Sequence, residues 1–245
     1  MLAPVLDAVR DQLRKHDARK AARLGLRVPA AHVASAPGVR TLGDVLRTRT
    51  LRSGPSAAMY ERVAEDGGRA SWRAISYDVF LQRASSVART LMELGLNLGD
   101  RVAVLGPTQA SWPVFDFGAQ LAGMVSWGIY PQQTVEQIRY LLSHSDTRVV
   151  FVDSQPELES VLAAAEGLPQ IVAIVPWTES LFGQFQGKDP RLVSPARFWG
   201  PPLSSSEIDS QLRRIDPDDT AILIYTSGTT GPPKGAMISH RNILS

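Results

Sequence analysis

Apolar runs of four to six residues alternate with longer amphipathic segments along the chain from residue 57 onwards. The runs are rich in valine, isoleucine and other strand-forming residues and end at glycine or polar turns, which predicts β-strands. The segments between them carry apolar residues three and four positions apart, which is the spacing of one helix face. The predicted strands of this alternation are residues 101–105, 125–130, 148–152, 171–175 and 221–224. Strands that alternate with helices indicate right-handed βαβ units, so the predicted fold class is α/β, with βαβ alternation around a mainly parallel sheet.

Local signals place the helices and one further pair of strands. Ser76 is a suitable N-cap for a long helix over residues 77–94. Two strand-like runs, residues 57–62 and 70–75, precede that helix. The residue pairs with the spacing of a capping box are Thr134 with Gln137 and Ser204 with Glu207. The other predicted helices cover residues 111–123, 134–143, 156–165 and 204–215.

Residues 177–203 interrupt this alternation with glycine, proline, charged and aromatic residues. The aromatic residues of the segment are Trp177, Phe182, Phe185, Phe198 and Trp199. Such side chains either attach a segment to the body of the protein or expose a contact for a partner or lipid. Attachment is the more common role, and we expect it here.

Residues 1–56 are expected to form a basic lead-in that is helical at first and irregular afterwards, with one short helix at residues 41–46. Residues 2–24 place leucine and valine at helical spacing, with arginine and lysine at the other positions. This helix suits either peripheral contact with an anionic membrane surface or packing with a solvated basic face. The aspartates at positions 7, 11 and 17 dilute the basic pattern and favour packing.

Composition excludes several kinds of site and partner. The chain has no cysteine, which excludes disulfides, thiolate metal sites and a cysteine nucleophile. Its four histidines lack metal-ligand spacing, so we expect no metal held by the protein alone. The basic residues lack interleaved aromatics and a binding motif, so we expect no nucleic acid partner. The sequence has neither an apolar run long enough to span a bilayer nor the apolar centre of a signal peptide, so a cytoplasmic location is expected.

The strongest chemical signal is a glycine-, threonine- and serine-rich segment with one lysine, residues 225–235, between two strand-like runs. Glycines let the backbone approach a ligand closely, and successive N–H groups with hydroxyl donors can surround an anion. The candidate phosphate-binding residues are Thr226, Ser227, Gly228, Thr229, Thr230, Gly231, Lys234 and Gly235. Pro232 and Pro233 offer no N–H, and we expect them to stiffen the exit of the segment and direct Lys234 towards the ligand. Gly-Thr-Thr-Gly alone would also fit a flexible surface loop.

Other classes of nucleotide and hydrolase chemistry lack their motifs. The segment is not a Walker A motif, because its lysine follows two prolines and precedes a strand-like run rather than a helix. A P-loop kinase or ATPase is therefore disfavoured. The chain also has no Gly-x-Ser-x-Gly elbow for a serine hydrolase, and no Gly-x-Gly-x-x-Gly follows an early strand.

Residues 225–235 resemble the phosphate-binding signature of the adenylate-forming, or AMP-binding, superfamily. That group includes acyl-CoA synthetases, peptide-synthetase adenylation domains and beetle luciferases. Residues 236–242 continue the resemblance. Residues 128–131 and 136–140 are similar to the long-chain fatty acyl-CoA synthetase branch in particular. The resemblance extends from Ala57 to Ser245, and it is most specific at residues 225–235.

The resemblance implies an ATP-dependent acid–CoA ligase. Such an enzyme joins a carboxylic acid, here a long-chain fatty acid, to ATP as its Mg²⁺ complex, and then passes the acyl group from AMP to CoA. The resemblance assigns Thr226, Ser227, Gly228, Thr229, Thr230 and Lys234 to the β- and γ-phosphates. An acyl-AMP ligase that loads a carrier protein is a nearby alternative.

The sequence contains only part of what the family's sequences contain. The family's adenine, ribose and Mg²⁺ contacts, its acyl pocket and its C-terminal domain follow this segment and have no counterpart here. We therefore expect residues 57–245 to be an incomplete N-terminal AMP-binding domain, with the C-terminal portion missing and no complete set of catalytic residues. Unpaired sheet edges and apolar faces are expected as a result. A naturally short, non-catalytic nucleotide- or partner-binding chain is the alternative of a different class.

Overall fold

A computed structural model describes residues 38–64, 70–226 and 232–245. The helices of these residues are α1 Leu42–Ser53, α2 Tyr77–Glu93, α3 Ser111–Leu121, α4 Val135–His144, α5 Gln155–Ala165, α6 Glu179–Phe185, α7 Ser205–Arg213 and α8 His240–Leu244. The strands are β1 Ala57–Ala64, β2 Ala70–Ser76, β3 Arg101–Leu105, β4 Val125–Ile129, β5 Thr147–Val152, β6 Ala173–Pro176, β7 Thr220–Thr226 and β8 Lys234–Ser239. The predicted helix at residues 2–24 lies outside this part of the chain.

Six strands form one twisted layer in the order β6-β5-β3-β4-β7-β8. Strands β3, β4, β5, β6 and β7 pair in parallel, whereas β7 and β8 form an antiparallel hairpin. The predicted α/β class with a mainly parallel sheet is confirmed. Strands β1 and β2, both predicted as short strands, pair with each other as a separate antiparallel hairpin.

Side chains of the central strands point alternately into two apolar clusters, one on each face of the sheet. Val104 and Phe151 enter the cluster that α2 and α3 cover. Leu105 and Val150 enter the opposite cluster, which α4 and α5 cover. Because helices cover both faces, the central strands are apolar along their whole length rather than alternating with polar residues.

The capping signals predicted the starts of α2, α4 and α7. Both expected capping boxes form, at Thr134 and at Ser204. The hydroxyl of Ser76 accepts a hydrogen bond from the backbone N–H of Val79, which confirms its role as an N-cap. The helix predicted at residues 41–46 continues to Ser53, and its Leu46 is buried against the body of the protein.

The aromatic segment at residues 177–203 contains more regular structure than the sequence indicated, namely α6 and a 3₁₀ helix, Pro195–Trp199. Phe198 is completely buried, and Trp177 and Phe185 are nearly so. These residues attach the segment to the body, as expected. Trp199 differs, since 43% of its surface is exposed. None of the helices described here is long and apolar enough to cross a membrane.

Candidate functional site

The β7–β8 hairpin holds the two ends of the candidate phosphate segment. Thr226 is the last residue of β7 and Lys234 is the first residue of β8, and the two are direct cross-strand partners. Both side chains are exposed. The structure therefore brings Thr226 and Lys234 together at the end of the hairpin, where the segment begins and ends. The five candidate residues between them, Ser227, Gly228, Thr229, Thr230 and Gly231, lie outside the described residues.

The pair of Thr226 and Lys234 lies at the edge of the sheet where β3, β4 and β7 end. The three strands run in the same direction, so their carboxyl ends meet at that edge. Open parallel sheets bind ligands at the carboxyl ends of their strands. A groove of about 560 Å³ runs from the loop after β3 to β7, with Thr108 and Trp112 on one side and Ile224 on the other. Thr226 and Lys234, the two described ends, thus lie where this kind of fold accepts a ligand.

Tyr225, the residue before Thr226, is enclosed by aromatic rings. Its ring centroid lies 5.0 Å from that of Trp127 on β4. Its hydroxyl lies 2.8 Å from Nδ1 of His144, the last residue of α4. Burial raises the pKa of the Tyr225 hydroxyl above its usual value, and a hydrogen bond with Ser145 opposes that rise. Tyr225 is therefore a neutral packing and hydrogen-bonding group.

Gly235 has a packing role that its sequence context did not indicate. It is the cross-strand partner of Tyr225. A Cβ atom at position 235 would lie 3.1 Å from Cζ of Tyr225, which is closer than ordinary contact. The Tyr225 ring lies in the space that a side chain at position 235 would need. A phosphate-binding role for Gly235 remains a proposal.

The exit of the segment is also held by α4. The hydroxyl of Tyr140 donates a hydrogen bond of 2.9 Å to the backbone carbonyl of Pro233. Tyr140 stands one turn before His144 on this helix. The sequence indicated no role for either residue, because each contact joins positions more than 80 residues apart.

A cluster of buried polar side chains lies under the groove. The hydroxyl of Ser126 donates to the carboxylate of Asp116, and the amide of Gln120 donates to Ser126 at 2.9 Å and to the carbonyl of Ala221 at 2.8 Å. Burial raises the pKa of Asp116, and its hydrogen bonds with Ser126 and Gln120 oppose that rise. These contacts tie α3 to β4 and to the start of β7.

His240 and Arg241 follow β8 and begin α8. His240 is buried, and its Nδ1 accepts a hydrogen bond of 3.1 Å from the backbone N–H of Leu42. Arg241 makes a bidentate pair with Asp218 at 2.6 and 2.9 Å. The structure uses both residues to fix the ends of β7 and β8.

The model of the AMP-binding enzyme family matches residues 52–245. The chain belongs to this family. A long-chain-fatty-acid–CoA ligase of Xenopus laevis, ACSBG2, is 29% identical over 228 residues, which are 92% of this chain and 30% of the relative. The long-chain-fatty-acid–CoA ligase FadD15 of Mycobacterium tuberculosis is 27% identical over 193 residues, which are 79% of this chain and 30% of the relative. The chain thus spans about a third of the length of these curated relatives.

Solved structures show the same fold. The A-PCP didomain of a carboxylic acid reductase from Segniliparus rugosus, in complex with AMP, has a TM-score of 0.66 and 19% identity. The match covers 86% of this chain and 32% of that one. The anthranilate CoA ligase AuaEII, in complex with anthranoyl-AMP, has a TM-score of 0.66 and 22% identity, covering 86% of this chain and 37% of that one. The α/β architecture is therefore that of adenylate-forming enzyme domains.

Proposed function

We propose that this chain supplies the phosphate-binding part of an ATP-dependent acid–CoA ligase. In that reaction a carboxylate attacks the α-phosphorus of ATP, which gives acyl-AMP and pyrophosphate. The acyl group then passes to the thiol of CoA, which releases AMP. The pairing of Thr226 with Lys234 at the carboxyl edge of the parallel sheet is the observation that carries this proposal.

The proposed residue roles follow from charge and hydrogen bonding. Lys234 supplies a compact positive charge for the β- and γ-phosphates of the Mg²⁺–ATP substrate. Thr226, Ser227, Thr229 and Thr230 offer hydroxyl donors, and Gly228 and Gly231 allow the backbone to approach the phosphates. Such groups accelerate the reaction by positioning ATP and stabilising the leaving pyrophosphate. In this proposal residues 57–245 belong to the AMP-binding domain and residues 1–56 lead into it.

A long-chain fatty acid is the proposed acid, because the two curated relatives named above are long-chain-fatty-acid–CoA ligases. CoA is the proposed acceptor for the same reason. A carrier protein is the alternative acceptor, since one solved neighbour is an A-PCP didomain. Nucleotide binding without turnover is a second candidate function, because the pairing of Thr226 with Lys234 supports phosphate binding, which does not by itself require turnover.

Calorimetry on the 245-residue chain tests the phosphate role. We expect Lys234→Ala to weaken binding of Mg²⁺–ATP and of pyrophosphate by about 10- to 100-fold, because a hydrogen bond to a charged group is lost. The melting temperature should not change, since Lys234 is exposed. Lys188→Ala is the matched control, because Lys188 is also exposed and lies beside Phe185 on α6, in another part of the fold.

Binding and turnover separate the two candidate functions. For the protein isolated from its native source, exchange of pyrophosphate into ATP that depends on a long-chain fatty acid would support the ligase, and binding without exchange would favour the second candidate. Equal affinities for the parent and Lys234→Ala, or no binding by the parent, would overturn the phosphate role.

A further inference from the structure

We propose that Tyr140 and His144 of α4 are positioning residues that hold the two ends of the phosphate segment and thereby set its affinity for ATP. This inference rests on the proposed phosphate role of Lys234. Neither side chain needs to touch the nucleotide. Each contacts a residue directly adjacent to the candidate binding residues, Tyr225 on the entry side and Pro233 on the exit side.

On the exit side, Tyr140 fixes the peptide unit that carries Lys234. The carbonyl of Pro233 and the backbone N–H of Lys234 belong to one planar peptide group. A hydrogen bond of 2.9 Å from the Tyr140 hydroxyl to that carbonyl therefore fixes the orientation of the peptide plane that joins Pro233 to Lys234. Pro233 has no backbone N–H, so its carbonyl is the only polar backbone group through which this residue can be held.

On the entry side, His144 fixes Tyr225 through its hydroxyl. The ring of Tyr225 reaches across the hairpin onto Gly235 and contacts Trp127 on its other neighbour strand. It thus connects β4, β7 and β8 just before Thr226. Holding the hydroxyl at 2.8 Å from His144 Nδ1 fixes the far end of this ring. Residues on both the entry side and the exit side of the segment are then held by contacts with α4.

Helix α4 is a firm base for these two contacts. Residues four apart lie on the same face of a helix, so Tyr140 and His144 project together; their ring centroids are 5.3 Å apart. Leu141 and Leu142 of the same helix are buried. Arg139 donates a hydrogen bond of 2.6 Å to the carbonyl of Ala163 and so ties α4 to α5. Movement of Tyr225 and of Pro233 relative to the body is therefore opposed.

The test measures calorimetric affinity for Mg²⁺–ATP and pyrophosphate in variants of the 245-residue chain. Tyr140→Phe removes only the hydroxyl, and we expect about two- to tenfold weaker binding, the range for one lost neutral hydrogen bond. Tyr60→Phe is the matched control, because Tyr60 lies on the separate β1–β2 hairpin. His144→Leu should weaken binding to a similar degree, and His144→Asn should restore part of it, because an Asn side chain places a polar atom near the position of Nδ1.

A double substitution distinguishes positioning from general support of the fold. If Tyr140 acts through Lys234, adding Tyr140→Phe to Lys234→Ala should cause no further loss of affinity, so the two effects will not add. Additive effects would overturn the inference, as would equal affinities of the parent and Tyr140→Phe. A lower melting temperature with unchanged affinity would show a merely structural contact and would also overturn it.

The closing measurement separates this inference from the proposed function. If the parent binds neither Mg²⁺–ATP nor pyrophosphate, the proposed function fails and the inference fails with it. If the parent binds and Lys234→Ala weakens binding, while Tyr140→Phe and His144→Leu do not, only the inference fails.

Discussion

The central strands of the sheet and the β7–β8 hairpin differ sharply in burial. Val104 and Phe151 on the central strands are fully buried. On the hairpin, Ile224 is 46% exposed and Met237 is 73% exposed. The strands that carry the candidate phosphate segment are thus the least covered in the sheet. Packing restricts which side chains can occupy the central strands. Side chains on the hairpin are less restricted by packing, so they can be of the kinds that bind a ligand.

The difference follows from the order of the strands. Helices before and after each central strand cover both faces of the sheet, as is usual for parallel strands. Strand β8 is at an edge and pairs with β7 alone. The hairpin is consequently held by a few specific contacts, such as those of Tyr140 and His144, rather than by broad apolar burial.

The largest effect on stability should come from the central strands. Phe151→Ala removes a fully buried ring that stacks on Phe115 at a centroid distance of 4.0 Å. We expect the free energy of unfolding to fall by about 3–5 kcal/mol, as for other large-to-small core substitutions. Urea unfolding followed by circular dichroism measures it. A loss below about 1 kcal/mol would show that the central strands do not carry the stability of the fold.

The parts of the fold that sequence reasoning predicted depend on local signals. The strand at residues 101–105 was predicted with its exact bounds because its apolar run ends at glycine on one side and begins after a polar turn on the other. The Thr134 capping box was predicted because both partners lie within four residues. The segment at residues 225–235 was recognised from its own composition.

Contacts between distant positions were not predictable. An amphipathic pattern predicts that α4 has an apolar face, but it cannot show that Tyr140 and His144 contact residues near position 230. Gln120 likewise occupies an ordinary helical position, although its amide contacts β7. The contact of His240 was not predictable for the same reason, since its partner Leu42 is 198 positions away.

A pH-dependent effect of intermediate size should come from His240, at the end of the hairpin. Burial lowers the pKa of His240, and the charges of Asp219 and Asp44 oppose that shift. Below the unfolded-state pKa of about 6.5, the unfolded chain binds a proton that the folded chain does not. Stability should therefore fall as the pH falls below about 6.5, by at most about 1.4 kcal/mol for each pH unit.

Two substitutions isolate this contribution. His240→Asn keeps an acceptor for the Leu42 N–H but cannot titrate, so its stability should depend less on pH between about 7.5 and 5.5 than that of the parent. His240→Leu leaves that N–H unpaired and should lose about 1–3 kcal/mol at every pH. Thermal melting across the pH range measures both. Identical pH profiles for the parent and His240→Asn would contradict the assignment.

The smallest effect should come from Met237 in the middle of β8. Its side chain is 73% exposed, and threonine is well suited to strands, so Met237→Thr should change the free energy of unfolding by less than about 0.5 kcal/mol. Urea unfolding in parallel with Phe151→Ala gives both values under the same conditions. A loss of more than about 2 kcal/mol would mean that β8 is covered in solution and belongs to the core. The freedom that we assign to the hairpin would then not exist, and the exposed position of Lys234 would need another explanation.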